Sequence, residues 1–250
     1  MQDRYAGDIG DFGKLLLLRE IARTGLKVGV NWYYTPPVTN EVGCDGSFKQ
    51  KDGRYRITDD LANANHALAD TLREIYDGNP KRTVAALETA DLIPGARYFR
   101  DNVPLVDRSR WFLESLDRLE ECDLVFLDPD NGLLPRSVQE RSPKSVKYVL
   151  PHEILGYRSA GMGILLYNHR PRRKVSECFT TVGDILRTAG VNTSGMESIT
   201  FPRFTVRDYL FLPADDYQRE TVLRCFNTLV NGRCGELGLC RFDWRPPTRN

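Results

Sequence analysis

The chain has 250 residues, with 35 Lys and Arg against 34 Asp and Glu and a formal net charge of +1. It is too long for a minimal domain and too balanced to hold a polyanion by bulk charge. With 41% hydrophobic, 10% aromatic and 28% charged residues, the composition excludes a disordered or fibrous chain and predicts a packed core.

No apolar run approaches the roughly 20 residues that cross a bilayer. The longest are the four-residue runs Leu15–Leu18 and Ile164–Tyr167, so no membrane association is expected. The start, Met1-Gln2-Asp3-Arg4-Tyr5, has no basic region followed by an apolar one, which argues against a secretory signal and makes the cytoplasm the default compartment. The cysteines, at 44, 122, 178, 225, 234 and 240, form no CxxC pair and no zinc-finger spacing. They are expected to be reduced thiols, Cys234 and Cys240 in the C-terminal segment being the pair that would depart from this.

Asp11 is placed to cap a first helix from about Phe12 to Thr24, which Gly25 ends. A strand over Lys27–Tyr34 follows and stops at Thr35-Pro36-Pro37. Residues Thr39–Gly53, rich in Gly and Asp, read as a long loop. A second helix is predicted over Leu61–Tyr76, with Leu61, Leu68, Leu72 and Ile75 on one face and Gly78-Asn79-Pro80 at its end. Ser109 can cap a third, carrying Phe112, Leu116 and Leu119. Leu124-Val125-Phe126-Leu127 is an unbroken apolar strand, and such a strand is buried on both faces, as in a parallel sheet covered by helices. A second such run, Gly163–Tyr167, precedes a helix over about Lys174–Ala189. Two adjacent strands, Ile199–Val206 and Tyr209–Leu212, and a helix from Ala214 to about Val230 close the chain.

This order predicts an α/β fold: a single domain over 1–250 with a Rossmann-like, mostly parallel sheet, helices on both faces and an antiparallel last strand. An inserted loop over 36–58 and a C-terminal tail over 231–250 are expected. In such sheets ligands bind at the carboxyl ends of the strands.

Three segments carry the chemistry. Ala6-Gly7-Asp8-Ile9-Gly10-Asp11-Phe12-Gly13-Lys14 leads into the first helix, where backbone amides and Lys14 can receive an anionic group; a plainly capped helix uses the same residue types. Asp128-Pro129-Asp130-Asn131-Gly132 follows the buried strand, and its paired carboxylates can accept hydrogen bonds from an amine or hold a hard cation, although such turns also occur without chemistry. Tyr167-Asn168-His169-Arg170-Pro171-Arg172-Arg173-Lys174 follows the second buried run. Its cations suit phosphate contacts, and Tyr167 and His169 suit stacking on a base; a solvated basic face is the plainer alternative. His152-Glu153 is a weaker signal.

In this order the three segments resemble the bacterial large-subunit ribosomal RNA (adenine-N6) methyltransferases, a class I S-adenosylmethionine-dependent family. Those begin with Ala-Gly-Asn-x-x-Asp-x-x-Lys, which residues 6–14 match with Asp8 in place of Asn. Their Asp-Pro-Pro-Tyr tetrad corresponds to Asp128-Pro129-Asp130-Asn131, and the strand ending Leu165-Leu166-Tyr167-Asn168-His169 is similar to the family's next strand. Two features depart from the pattern. Tyr34-Thr35-Pro36-Pro37 stands where a glycine-rich turn is usual, and Asn131 replaces the aromatic residue. The resemblance implies methyl transfer to an amine of a nucleotide, RNA or DNA, with Asp128, Asp130 and Asn131 at the acceptor, Asp8, Asp11 and Lys14 at the S-adenosylmethionine, and Tyr167, His169, Arg170, Arg172 and Arg173 on the phosphate-bearing substrate.

Other functions fit parts of the pattern. Phe126-Leu127-Asp128-Pro129-Asp130 looks like the Asp-x-Asp strand end of haloacid-dehalogenase-type phosphotransferases. Asp8, Asp11, Asp128, Asp130, Glu153 and His169 can be read as a metal-dependent phosphoesterase or nuclease site using Mg or Mn. A non-enzymatic interaction subunit keeps the fold and loses the chemistry. The near-zero charge itself hides a division: residues 136–187 hold ten Lys and Arg against four Asp and Glu, a net of +6 that leaves −5 for the rest. A local basic face beside the pocket is expected, with weak general nucleic-acid binding.

Overall fold

The computed structural model describes residues 1–36, 55–78 and 82–244. The predicted loop over Thr39–Gly53, with Cys44, lies outside them. The helices are α1 (Ile9–Ala22), α2 (Asp59–Ala62), α3 (His66–Asp77), α4 (Val84–Thr89), α5 (Arg108–Leu119), α6 (Pro151–Ser159), α7 (Val175–Thr188), α8 (Asp216–Asn231) and α9 (Arg233–Glu236). The strands are β1 (Val28–Asn31), β2 (Arg97–Phe99), β3 (Leu124–Leu127), β4 (Gly132–Leu133), β5 (Tyr148–Val149), β6 (Gly163–His169), β7 (Glu197–Phe201) and β8 (Arg207–Leu212).

Six strands form one sheet in the order β2-β1-β3-β6-β8-β7. β2, β1, β3 and β6 are parallel, while β8 runs antiparallel to both β6 and β7. The fold is thus α/β with a mostly parallel sheet and an antiparallel last strand, as the element order predicts. β4 and β5 pair apart from this sheet. Their two-residue runs carry too little apolar patterning to be legible in the sequence.

The buried strands explain the layering. Leu124 and Phe126 of β3 and Leu165 of β6 join the apolar cluster built with α1, α3, α4 and α8. Val125, Leu127, Ile164 and Leu166 point the other way, into the cluster built with α5, α6 and α7. Each such side chain contributes roughly 1.5–3 kcal/mol by leaving water, so a strand apolar at every position is stable only between two helical layers.

The boundaries move where capping chemistry outcompetes periodicity. α1 begins three residues before the expected Phe12, because Asp8 and not Asp11 is its N-cap, accepting from the amides of Gly10 and Asp11. The predicted Leu61–Tyr76 helix is two: Asn65 caps α3 by accepting from Leu68 N, which separates it from α2. Ser109 is inside α5, whose N-cap is Asp107 at φ +59°. The segment after 231 does not form a loose tail as far as residue 244. α9 and the bridge between Thr200 and Arg241 hold it to the sheet edge, with Cys234, Leu239 and Cys240 buried.

Cys122, Cys178, Cys225, Cys234 and Cys240 are all free thiols. Burial pushes Cys225 and Cys234 up to about 11 and Cys240 up to about 12. Among the described residues no helix is long and apolar enough to cross a membrane.

Candidate functional site

The chain leaves β1 toward β2 on one side and returns to β3 on the other, which makes the carboxyl ends of β1 and β3 the switch point of the sheet. Both ends are closed by internal bonds. The Tyr33 N–H donates to Asn31 Oδ1 at 3.0 Å. The Met1 amino group donates to the carbonyls of Trp32, Tyr33 and Asp128 at 3.0, 3.1 and 2.9 Å. Tyr33 takes a left-handed backbone at φ +44° and sends its hydroxyl to Glu153 Oε2 on the opposite face, 3.0 Å away. The missing glycine-rich turn is therefore replaced by a closed aromatic turn, and a ligand here must be held by side chains.

Beside this closed end lies a cavity of about 550 Å³, within the range that holds small ligands. It unites residues far apart in sequence. Asp8, Asp11 and Lys14 come from the start of α1, Asp128, Asp130 and Asn131 from the turn after β3, and Tyr167 and His169 from the end of β6. Eight of the sequence-predicted site residues thus meet in one chamber. It also takes Met1, Arg4, Tyr55, Lys147 and Arg207, which no sequence motif singled out. Lys147 belongs to the basic stretch seen in the charge division. Arg207 opens β8 without any spacing to mark it.

At the floor, Lys14 Nζ lies 2.6 Å from Asp128 Oδ2 and 2.8 Å from Asp11 Oδ1, and 5.5 Å from the centre of the Trp32 ring. Burial alone pulls a lysine down, but the two carboxylates outweigh it and hold Lys14 above its ordinary value. Burial pushes the Asp8, Asp11 and Asp128 carboxyls up, against the opposing pull of Arg207 and Lys14 on Asp8, of Lys14 on Asp11, and of Lys14 and the Met1 ammonium on Asp128. Asp130 goes the other way. Burial raises it, yet the Met1 ammonium at 3.2 Å and the Gln2 amide together hold it below the usual carboxylate range.

The helix start does not offer its amides to an anion as the motif suggests. Gly10 N and Asp11 N are taken by Asp8 Oδ1, at 2.7 and 3.1 Å, and Ile9 N by the Tyr55 carbonyl at 2.9 Å. The motif supplies side chains instead. Gly7, at φ +77°, accepts this path because a Cβ there would stand 2.5 Å from the Leu72 carbonyl of α3; its N–H donates to Asp11 Oδ2 at 2.8 Å.

The turn after β3 is tied to β6. Gly132 has φ +109°, and a Cβ on it would meet Asn168 Oδ1 at 2.2 Å; that oxygen accepts from Leu133 N at 3.2 Å. Asn131 and His169 also line a second, smaller cavity of about 260 Å³, walled by Leu133, Tyr148, Arg173 and Ile185.

The basic segment divides. Arg170 is not a phosphate ligand in waiting but an internal cation: it pairs with Asp208 and Asp243, Nε to Asp208 Oδ2 at 2.8 Å and Nη1 to Asp243 Oδ2 at 2.5 Å, and donates to Thr200 Oγ1 at 2.9 Å. Arg172 and Arg173 are exposed, with Arg173 on the second cavity. Glu153 of the metal-site reading also separates, as does its neighbour in the weaker His152-Glu153 signal. Glu153 is buried on the far face, where it accepts from Arg108, Tyr33 and Leu150 N. His152 stands 3.9 Å from Glu140 at the surface. Among the described residues no group of three or more His, Cys, Asp or Glu is disposed to hold a metal ion. Ammonium groups sit where a hard cation would be: Lys14 between Asp11 and Asp128, and Met1 against Asp130. The donor set does not fit Mg or Mn.

No family model and no curated protein matches the chain.

Proposed function

We propose that the protein is a methyltransferase-like enzyme that uses S-adenosylmethionine on an amine of a nucleotide or nucleic acid. The observation that carries this reading is the meeting of the α1 start and the turn after β3 through the Lys14–Asp128 contact, in one cavity at the carboxyl ends of β3 and β6. Four carboxylates, Asp8, Asp11, Asp128 and Asp130, line it with four cationic side chains, Arg4, Lys14, Lys147 and Arg207. A balanced lining of both signs suits a zwitterion better than a simple anion. When bound, S-adenosylmethionine supplies an electrophilic methyl carbon and departs as a neutral thioether.

The residues of the chain supply position. Asp128 accepts an N–H of the acceptor amine, and Asn131 shapes the wall beside it. Asp8 and Asp11 face the ammonium end of a zwitterion, and Lys147 its carboxylate. In-line displacement requires alignment more than a strong base, which agrees with an Asp128 already bonded to Lys14. A ligand at 100 times its Kd adds about 2.7 kcal/mol of stability. S-adenosylhomocysteine is expected to raise the Tm of the wild type, and of Lys147→Ala much less. An unchanged wild-type Tm at millimolar S-adenosylhomocysteine would sink the reading.

A further inference from the structure

The turn between β7 and β8 holds Phe204 in a costly conformation. Its φ is +60°, and the Thr205 N–H donates to the Arg203 carbonyl across it at 2.8 Å. A hydrogen bond spanning a single residue of positive φ closes a γ-turn of the strained kind, which a bulky side chain rarely adopts. Burial does not offset the strain, since Phe204 is 58% exposed. The ring stacks on Tyr55, with centroids 4.4 Å apart and planes inclined by 22°.

Both rings are anchored from below. Arg207 Nη1 donates to the Arg203 and Thr205 carbonyls, at 3.0 and 3.3 Å, clamping the γ-turn from either side. The Tyr55 carbonyl takes the Ile9 amide at the start of α1. Tyr55, Thr205 and Arg207 all line the large cavity. The outcome is an exposed aromatic step, hydrogen-bonded through its backbone to the wall of a charged chamber. Backbone strain retained at an accessible position accumulates where ligands are gripped, and an aromatic face beside arginine is the arrangement that takes up unstacked bases.

We propose that Tyr55 and Phe204 form a stacking platform for a nucleobase, whose phosphate reaches the cationic wall made by Arg207 and Arg4. The proposal rests on the reading of this cavity as a site for a nucleotide-bearing ligand, but it does not require methyl transfer. Base stacking of this kind changes affinity by about 5- to 100-fold.

Calorimetric titration of the full chain with AMP, ribose 5-phosphate and S-adenosylhomocysteine tests it. AMP is expected to bind at least about tenfold more tightly than ribose 5-phosphate. Phe204→Gly and Tyr55→Leu each remove most of that difference, and Phe204→Trp retains it. Phe204→Gly should keep or raise the Tm, because glycine accepts φ +60° without strain. Loss of affinity for AMP alone assigns the platform to the substrate's base; an equal loss for S-adenosylhomocysteine assigns it to the cofactor's adenine. AMP that binds no better than ribose 5-phosphate, or equally well to Phe204→Gly, overturns the platform. If S-adenosylhomocysteine fails to bind while AMP shows the Phe204 dependence, the methyltransferase reading falls and the platform stands.

Discussion

Lys14 Nζ bridges Asp11 Oδ1 at 2.8 Å and Asp128 Oδ2 at 2.6 Å, with all three side chains at 5% exposure or less. The first helix and the turn after β3, 114 residues apart between Lys14 and Asp128, are joined by this one ammonium. Its removal leaves two buried carboxylates without their cation, and breaking such a pair from one side typically costs about 3–5 kcal/mol. Lys14→Met is therefore expected to lower the urea midpoint sharply. Burial already raises Asp11 and Asp128, and without Lys14 their folded values rise further above the unfolded ones. A raised carboxyl stabilises the fold below its unfolded pKa and loses that contribution as pH rises through the folded value. The variant's deficit should thus be smaller at pH 5 than at pH 8. A deficit independent of pH would show that the carboxylates are not the cause.

His169 predicts an effect of the opposite sign. Its ring, exposed at the end of β6 but beside Arg207, is lowered below the ordinary histidine range by partial loss of water first and by Arg207 second. A lowered folded pKa means that stability is complete above the unfolded value near 6.5 and is lost as pH falls through the folded one. His169→Gln should be relatively more stable than wild type at pH 5.5, and the gap should close by pH 8. Parallel urea titrations at the two pH values measure it.

Gly132→Ala would force a Cβ into Asn168 and a side chain onto φ +109°. A loss of at least about 2 kcal/mol is expected. Asn168→Gly in the same chain should recover part of it, since the clash is with Asn168 Oδ1 and Cγ as well as its Cα. No recovery would locate the cost in the backbone angle alone.

Arg170 and its neighbours should separate cleanly in experiment. Arg170→Ala strands the buried Asp208, while Asp243 keeps Arg241 at 2.6 Å, and a loss of about 3 kcal/mol is expected. Arg172→Ala and Arg173→Ala should leave the unfolding free energy within about 0.5 kcal/mol of wild type. If the exposed arginines meet a phosphate-bearing polymer, each of these substitutions lowers the salt dependence of RNA binding by about one phosphate contact. Equal salt slopes in wild type and the Arg172→Ala, Arg173→Ala double variant would remove this face from substrate binding.

Much of the architecture is legible along the chain because it follows from local periodicity. Leu124–Leu127, apolar at every position, requires two covering layers wherever it lies, and the paired strands after Thr188 foretell the antiparallel β8. The turn at Asp128–Asn131 and the polar end at Tyr167–His169 are likewise marked by their place after buried strands. What periodicity cannot carry is partnership. Arg170, Arg172 and Arg173 look alike in sequence, and only the approach of Asp208 and Asp243 makes one an internal ion while two stay in solvent. The helix motif reads as an anion cradle until Asp8 and the Tyr55 carbonyl are seen to occupy its amides.

By itself, then, the sequence determined the α/β class, the strands that frame the site and eight of the residues that line it, since burial on two faces and turn chemistry are properties of short segments. The tertiary structure alone decided that Lys14 neutralises Asp128, that the end of β1 is closed by the amino group of Met1, and that Phe204 is held against Tyr55 at the rim. Those are contacts between distant segments, and their energies depend on distance and burial, which no local pattern encodes.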